Sequence, residues 1–221
     1  MATRMRLTDI DLLETLSSPE YAEFLEKFQE RRFLKKEILY LPNDEKNLVF
    51  LVKHGRVRIY LAYEDKEFTL SILSPGDVYS THTRAFIQAM EDTTILVTDV
   101  RNFQKIVVNS PIFGLNMVKV LGDLLKSSFT IINSLVFKET YLRLAEFLVH
   151  AAEDIGIPVQ QGIKLELGLT TEEIALMVGA TRQTVSVFLN DLQKSGILEK
   201  VNRRTILIKD LKKLQGIESG F

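Results

Sequence analysis

The stretch Leu169–Leu198, LTTEEIALMVGATRQTVSVFLNDLQKSGIL, decides how the rest of the chain is read. Its pattern is two short helices around a tight turn. Thr170 or Thr171 can cap the first helix, and Glu172 and Glu173 suit its positive end. Ile174, Val178 and the small Ala175 give that helix one apolar face. Gly179 ends it, where the turn calls for a positive φ that other residues adopt only at a cost. Thr181 caps a second helix, whose buried stripe is Val185, Phe188, Leu189 and Leu192. The opposite face of that helix begins with Arg182, Gln183 and Ser186, where a recognition helix places its base-contacting residues. An ordinary αα-hairpin is the plainer alternative. Turn, caps and polar face agree instead with a DNA-binding helix-turn-helix.

The flanks extend that reading. Ile163–Leu167 forms a short strand before the motif. After it, Ile197-Leu198 and Thr205–Ile208 can pair around Asn202-Arg203-Arg204 as a basic β-wing. The whole chain has a formal net charge of −1, which does not advertise a nucleic-acid partner. Charge is local, however. From Thr181 to Lys213 there are eight basic residues (Arg182, Lys194, Lys200, Arg203, Arg204, Lys209, Lys212, Lys213) and three acidic ones (Asp191, Glu199, Asp210). That excess falls where phosphate contacts are needed. The expected DNA-contacting set is Arg182, Gln183 and Ser186, with Thr181, Thr171, Arg203 and Arg204.

Upstream, Thr140 to about Asp154 reads as a helix with Leu144, Phe147 and Leu148 on one face, closed by Gly156 and Pro158. Phe137-Lys138-Glu139 is the expected hinge before it. From Ile112 to about Phe137 runs one long helical pattern. Val118, Leu121, Leu125, Ile132 and Leu135 form a heptad seam interrupted by Ser128. Met117, Val120, Leu124 and Ile131 add a second apolar flank. Two apolar flanks must both be buried. The simplest solution packs one on the preceding domain and the other on the same helix of a second subunit, although a long internal core helix would also serve. Arg101 to about Ser110 is a further helix, with Pro111 as a break.

Between about Arg32 and Val100 the pattern changes to short strands: Ile38–Leu41, Leu48–Val52, Val57–Leu61, Phe68–Leu73 and Thr94–Val97. Turn signals separate them, among them His54-Gly55 and Ser74-Pro75-Gly76-Asp77. This spacing indicates an antiparallel barrel or sandwich, and the repeat of a glycine turn followed by a strand, HGRVRIY and then PGDVY, suits a β-roll. Residues 1 to about 30 read as an arm and a helical lead-in, anchored by Leu12, Leu13, Leu16, Phe24, Leu25 and Phe28. Ala2 follows Met1, and removal of the initiator would leave its amine as the terminus. An amine with a pKa near 7.7–8 is partly neutral and can serve as a weak metal ligand; a frayed tail is the plainer reading.

The 221 residues suffice for one large domain or two modest ones, and a content of 46% hydrophobic and 26% charged residues is that of a globular protein. No apolar run reaches the roughly 18 residues that span a membrane. MATRMRLTDIDLL has no secretory core, so the expected location is the cytoplasm and no membrane partner is expected. The absence of cysteine excludes disulfides, thiolate metal sites and cysteine nucleophiles.

The order of β-roll, long helix, hinge and winged helix-turn-helix resembles the CRP/FNR superfamily of bacterial regulators over essentially the whole chain. EEIALMVGATRQTVS is similar to its recognition segment. That resemblance implies Arg182 bidentate to a guanine, worth about 1–3 kcal/mol of discrimination. Val187 stands where many members carry a second basic residue, so their exact operator sequence does not carry over. A cyclic-nucleotide binder needs a longer cassette after the GD turn. Here Gly76-Asp77 runs directly into VYSTHTRAFIQAMEDTTIL, and Arg84 alone is no phosphate cradle. An iron–sulfur cluster needs cysteines. Ser80-Thr81-His82-Thr83, the MA terminus, FTLSIL, the short cassette and VLGDLL instead resemble the CooA-type carbon-monoxide-sensing haem activators.

This second resemblance implies haem b, one per subunit, with His82 as proximal iron ligand and the Ala2 amine of the other subunit as distal ligand. Carbon monoxide, the effector, would displace the amine from ferrous iron and face Leu121, Gly122 and Leu125. Some such proteins place a ferric-state cysteine ligand two residues before the histidine. Ser80 cannot act as a thiolate, so that ligand exchange is expected to be absent or different. The implied protein is not an enzyme. It is a homodimeric transcription activator with a double-stranded DNA operator and RNA polymerase as partners. The fold class is α+β: a haem-binding β-roll sensor domain with its arm over residues 1–111, a dimerisation helix over 112–137, and a winged helix-turn-helix domain over 138–221. Two alternatives stand beside it. One is a regulator of the same superfamily sensing another small molecule without haem. The other is a cupin-type metalloenzyme, for which His54 and His82 are too few ligands. His54 and His150 read as structural.

Overall fold

The computed structural model describes residues 11–44 and 47–218, with Phe137 and Glu218 described by backbone alone. These residues divide into two compact units, the boundary falling between Lys126 and Ser127 inside one long helix.

The first unit opens with α1 (Leu12–Leu16), capped by Asp11, whose side chain accepts the Glu14 N–H. A 3-10 turn (Pro19–Tyr21) and α2 (Ala22–Leu25) follow. Eight strands come next: β1 (Gln29–Phe33), β2 (Ile38–Tyr40), β3 (Leu48–His54), β4 (Val57–Tyr63), β5 (Lys66–Leu73), β6 (Val78–Ser80), β7 (Phe86–Ala89) and β8 (Thr93–Asp99). They form two antiparallel four-stranded sheets, ordered β1-β8-β3-β6 and β2-β7-β4-β5. Between the sheets lies a core that includes Tyr40, Phe50, Val52, Ile59, Leu73, Ile87 and Ile95.

The LVFLV run of β3 is apolar at every position because both faces of its sheet are covered. Phe50 and Val52 enter the inter-sheet core, while Val49 and Leu51 meet Leu12, Leu16, Phe103, Ile106, Phe113 and Val120 from the helices. A strand buried on both sides shows no alternation. Phe103 and Ile106 belong to α3 (Val100–Asn109), capped by Asp99. Phe113 and Val120 belong to α4 (Pro111–Phe137), 27 residues long.

Several expected boundaries need correction. The lead-in ends earlier than about residue 30, since β1 begins at Gln29. Its charged QERRF sequence suits an exposed edge strand and hides the strand from a hydrophobic pattern. Strands β6 and β7, of three and four residues, are too short to give a period. His54 ends β3 rather than lying in a turn. Pro111 does not break a helix but starts α4, because the first turn needs no N–H from it.

The second unit contains the end of α4, then α5 (Thr140–Ile155), β9 (Ile157–Val159), β10 (Gly162–Glu166), α6 (Thr171–Val178), α7 (Arg182–Lys194), β11 (Leu198–Asn202), β12 (Thr205–Ile208) and α8 (Leu211–Glu218). Its sheet is antiparallel in the order β11-β12-β10-β9. Helix α5 is buried along most of its length and packs on α6, α7, α8 and β10. Among the described residues, no helix is long and apolar enough to cross a membrane.

Candidate functional site

Strand β6 leads into a 3-10 turn, Thr81–Thr83, ended by Arg84 in the left-handed region at φ 59°. Buried Thr81 pins the turn to β3, its hydroxyl accepting the Leu48 N–H at 3.0 Å. His82 is exposed. Its Nδ1 lies 2.5 Å from the Ser80 hydroxyl, which also reaches the Leu48 carbonyl at 3.2 Å. Ser80 has one hydrogen for two contacts. A carbonyl only accepts, so the hydroxyl donates to Leu48 and accepts from His82 Nδ1–H. That donor arrangement corresponds to the Nδ1–H tautomer, with the lone pair on Nε2. A metal-ligating imidazole has this arrangement, one nitrogen anchored by a hydrogen bond and the other open. Among the described residues, no group of three or more His, Cys, Asp or Glu side chains is arranged to hold a metal ion. His150 instead approaches Glu153 at 3.5 Å on α5.

Helix α4 divides by face. Phe113, Met117, Val120 and Leu124 pack on the β-roll. Val118, Leu121, Leu125, Ile132 and Leu135 are exposed, Val118 to 66% and Leu121 to 59%. Gly122 lies within this exposed row. A Cβ placed on it would meet no described atom within 4 Å. Glycine inside a helix costs about 1 kcal/mol relative to alanine, and no described neighbour in the chain requires it here. Ala2 lies outside the described residues.

In the second unit, local chemistry positions the other set. Thr170, not Thr171, caps α6 and forms a full capping box with Glu173. Gly179 takes φ 66°, and Thr181 caps α7 by accepting the Thr184 N–H. These caps place Arg182 and Gln183, both exposed, in the first turn of α7, with Ser186 half-buried one turn on. Arg182 has only a loose pairing, 4.0 Å from Glu172 across solvent. Val187 is exposed as well, so the reading face of α7 carries an apolar patch. Thr171, Arg203 and Arg204 line one open cleft of about 370 Å³ between α6 and the wing, floored by Leu167, Ile174 and Ile206. Lys200, which the motif reading left out of the DNA set, lines it too and bonds Asn190 at 2.6 Å. The local excess of positive charge was the available signal for it. The structure thus gathers the DNA set on one unit and keeps His82 and Gly122 on the other.

Two family profiles match: a cyclic nucleotide-binding domain over residues 30–110 and a Crp-like helix-turn-helix domain over residues 142–217. In that order on one chain, they define a CRP/FNR-class regulator. Three solved structures of one protein, CooA from Carboxydothermus hydrogenoformans, narrow the class. A CooA mutant is 71% identical, with 97% of this chain and 98% of that chain covered, at a TM-score of 0.93. An imidazole-bound form, described as a CO-dependent transcription factor, is 71% identical over 98% of this chain and 100% of that one, at a TM-score of 0.57. A structure described as the heme domain of CooA is 72% identical over 59% of this chain and 96% of that one, at a TM-score of 0.52. The chain belongs to the CooA family.

Proposed function

We propose that this chain is a CO-responsive, haem-containing, DNA-binding transcription activator that works in the cytoplasm as a homodimer. The observation that carries the haem reading is the Ser80–His82 hydrogen bond, which leaves Nε2 as the ligating nitrogen. A lone imidazole fits a metal whose remaining donors come mainly from a macrocycle. The CooA relatives, described as a CO-dependent transcription factor and its heme domain, support the same choice. When bound, haem b supplies an iron site at which carbon monoxide competes with a weaker ligand. His82 would hold that iron on one side, and the partner subunit's N-terminal amine at Ala2 would be the weaker ligand that carbon monoxide displaces.

Leu121 and Leu125 offer apolar contact to a small uncharged effector, and Gly122 leaves the space beside them open. The exposed row Val118, Leu121, Leu125, Ile132 and Leu135 is the dimer seam, since no described part of the chain covers it. Two copies then present two α7 helices to half-sites one helical turn apart. Arg182 reads guanine, Gln183 and Ser186 read neighbouring bases, and Thr171, Thr181, Arg203 and Arg204 hold the backbone. On this reading the sensor domain covers residues 1–111, the dimerisation helix 112–137 and the DNA-binding domain 138–221, and RNA polymerase is the recipient of the signal. Effector binding shifts the dimer toward its DNA-competent arrangement only as far as it binds that arrangement more tightly.

The test is DNA affinity under carbon monoxide and under nitrogen, using a duplex selected by the haem-loaded protein from a random pool. Tighter binding under carbon monoxide in wild type, lost in His82→Ala, is expected. Carbon-monoxide-dependent binding that survives in His82→Ala would sink the proposal.

A further inference from the structure

Arg143 lies on α5, one turn into the helix, between hinge and core. It is a buried cation, 8% exposed, and its guanidinium spreads over four acceptors. Nε donates to the Val178 carbonyl at 2.8 Å, and Nη2 to the Gly179 carbonyl at 3.2 Å. Nη1 donates to the Lys138 carbonyl at 2.6 Å, and Nη2 also to the Thr140 hydroxyl at 3.1 Å. The first two acceptors are the end of α6 and the turn of the helix-turn-helix. The other two are the hinge backbone and the first residue of α5. One planar group therefore fastens the hinge to the turn that sets the start of α7. Lys138 is held a second time, its ammonium paired with the carboxylate of Glu146, a residue only 4% exposed. From Lys138 onward the backbone is tied into the DNA-binding unit.

Burial lowers the affinity of Arg143 for its proton. A buried cation without partners would be expensive, and these four carbonyl and hydroxyl oxygens offset that cost without neutralising the charge. The positive group also sits at the carbonyl end of α6, where the helix dipole favours it. The fork geometry is specific to arginine, because a lysine ammonium cannot reach acceptors on both sides at once.

We propose that Arg143 is a positioning residue that couples the hinge to the recognition helix. Backbone movement at Lys138–Thr140 is carried through its guanidinium to the Val178–Gly179 carbonyls, and so to the orientation of Arg182 and Gln183. The proposal rests on the DNA-binding reading of α7 but not on haem.

Amide hydrogen exchange on the full-length dimer tests it without any DNA. The reporter is the Ala180 amide, which donates to the Ala175 carbonyl in the turn at 3.0 Å. Glu139→Gly loosens the exposed hinge without removing any side-chain cap. In wild type this change should speed exchange at Ala180 by about threefold to tenfold, the range expected for directly coupled sites. In Arg143→Met the hinge change should add less than twofold, because the link is gone. A purely structural Arg143 would give a different result: Arg143→Met would speed exchange equally at Ala180 and along the distant β10–β12 ladder, and Glu139→Gly would act alike in both backgrounds. That result overturns the proposal. Should Arg143→Met not fold, Thr140→Val removes one of the two hinge-side acceptors. It should raise exchange at Ala180 about threefold and leave the β10–β12 ladder unchanged; no change at Ala180 overturns the proposal. Arg143→Lys should behave as Arg143→Met, and full rescue by lysine would also overturn it. A protein that passes these tests yet selects no duplex would refute the DNA reading and leave the mechanical link standing.

Discussion

In the DNA-binding unit, Arg182, Gln183, Arg203 and Arg204 stand exposed on elements that their own neighbours hold in place: a capping box at Thr170, a left-handed Gly179 and a capping Thr181. In the β-roll unit, His82 lies in a three-residue turn, and its Nδ1 meets the Ser80 hydroxyl, which also reaches the Leu48 carbonyl 32 residues before Ser80. The first surface is complete within one chain. The second is not complete among the described residues, where the Val118–Leu135 row of α4 is exposed and a Cβ on Gly122 would meet nothing within 4 Å. On the proposed reading, DNA-reading chemistry is built from local rules, whereas the sensing site draws on distant residues, on a cofactor and on a second subunit.

Variants in one half should spare the readout of the other. The largest effect is expected at the inter-sheet core. Phe50 is fully buried between the sheets, and Phe50→Ala should cost about 3–5 kcal/mol, read as a lower urea midpoint of the β-roll. Unchanged midpoints would remove Phe50 from the core. Next comes Arg182→Ala, which should weaken the selected duplex by about 1–3 kcal/mol in anisotropy titrations, with little effect on random duplex and none on the haem spectrum. Equal weakening on both duplexes would make Arg182 a phosphate contact and blunt the comparison.

Gly122→Ala should move two readouts in opposite directions. The helix gains up to about 1 kcal/mol of stability, because no described atom resists the added methyl group. The carbon-monoxide enhancement of DNA binding should fall, because the methyl group enters the space assigned to the effector. A smaller effect is expected at Asp210, which caps α8. The Lys213 backbone N–H donates to its carboxylate at 3.0 Å, and this bond, with the nearby Lys213 ammonium, holds the carboxyl below its ordinary pKa. A depressed folded-state pKa stabilises the fold above the unfolded value, and the benefit is lost as pH falls through the folded one. Asp210→Ala should therefore lower the melting temperature slightly at neutral pH, with the difference vanishing in acid.

Much of this fold was legible because its signals are local. The caps, the glycine turn and the buried stripe of α7 lie within one stretch, and of the two apolar flanks of α4 expected to be buried, one packs on the β-roll while the other is exposed in the single chain. Strands β1 and β7 escaped because a charged edge strand and a strand of four residues carry no hydrophobic period; β6 showed only through the glycine turn before it, in PGDVY. His82 was singled out through family resemblance rather than through its own chemistry, since a lone histidine in a turn is ordinarily only that. The role of Ser80 depends on a hydrogen bond to Leu48 across two strands, which no spacing rule encodes. Nothing in the sequence patterns singles out Arg143; only the folded unit brings the Val178, Gly179 and Lys138 carbonyls around it.

The absorption spectrum of wild type and His82→Ala, each given hemin, reduced, and then exposed to carbon monoxide, tests the central claim most directly. Wild type should take up hemin, give a ferric spectrum without thiolate character, and show a Soret band that shifts under carbon monoxide, while His82→Ala should lose the wild-type ferrous spectrum. A wild-type protein that stays colourless, or a His82→Ala spectrum identical to wild type in every state, would contradict the assignment of His82 as the residue that holds the iron.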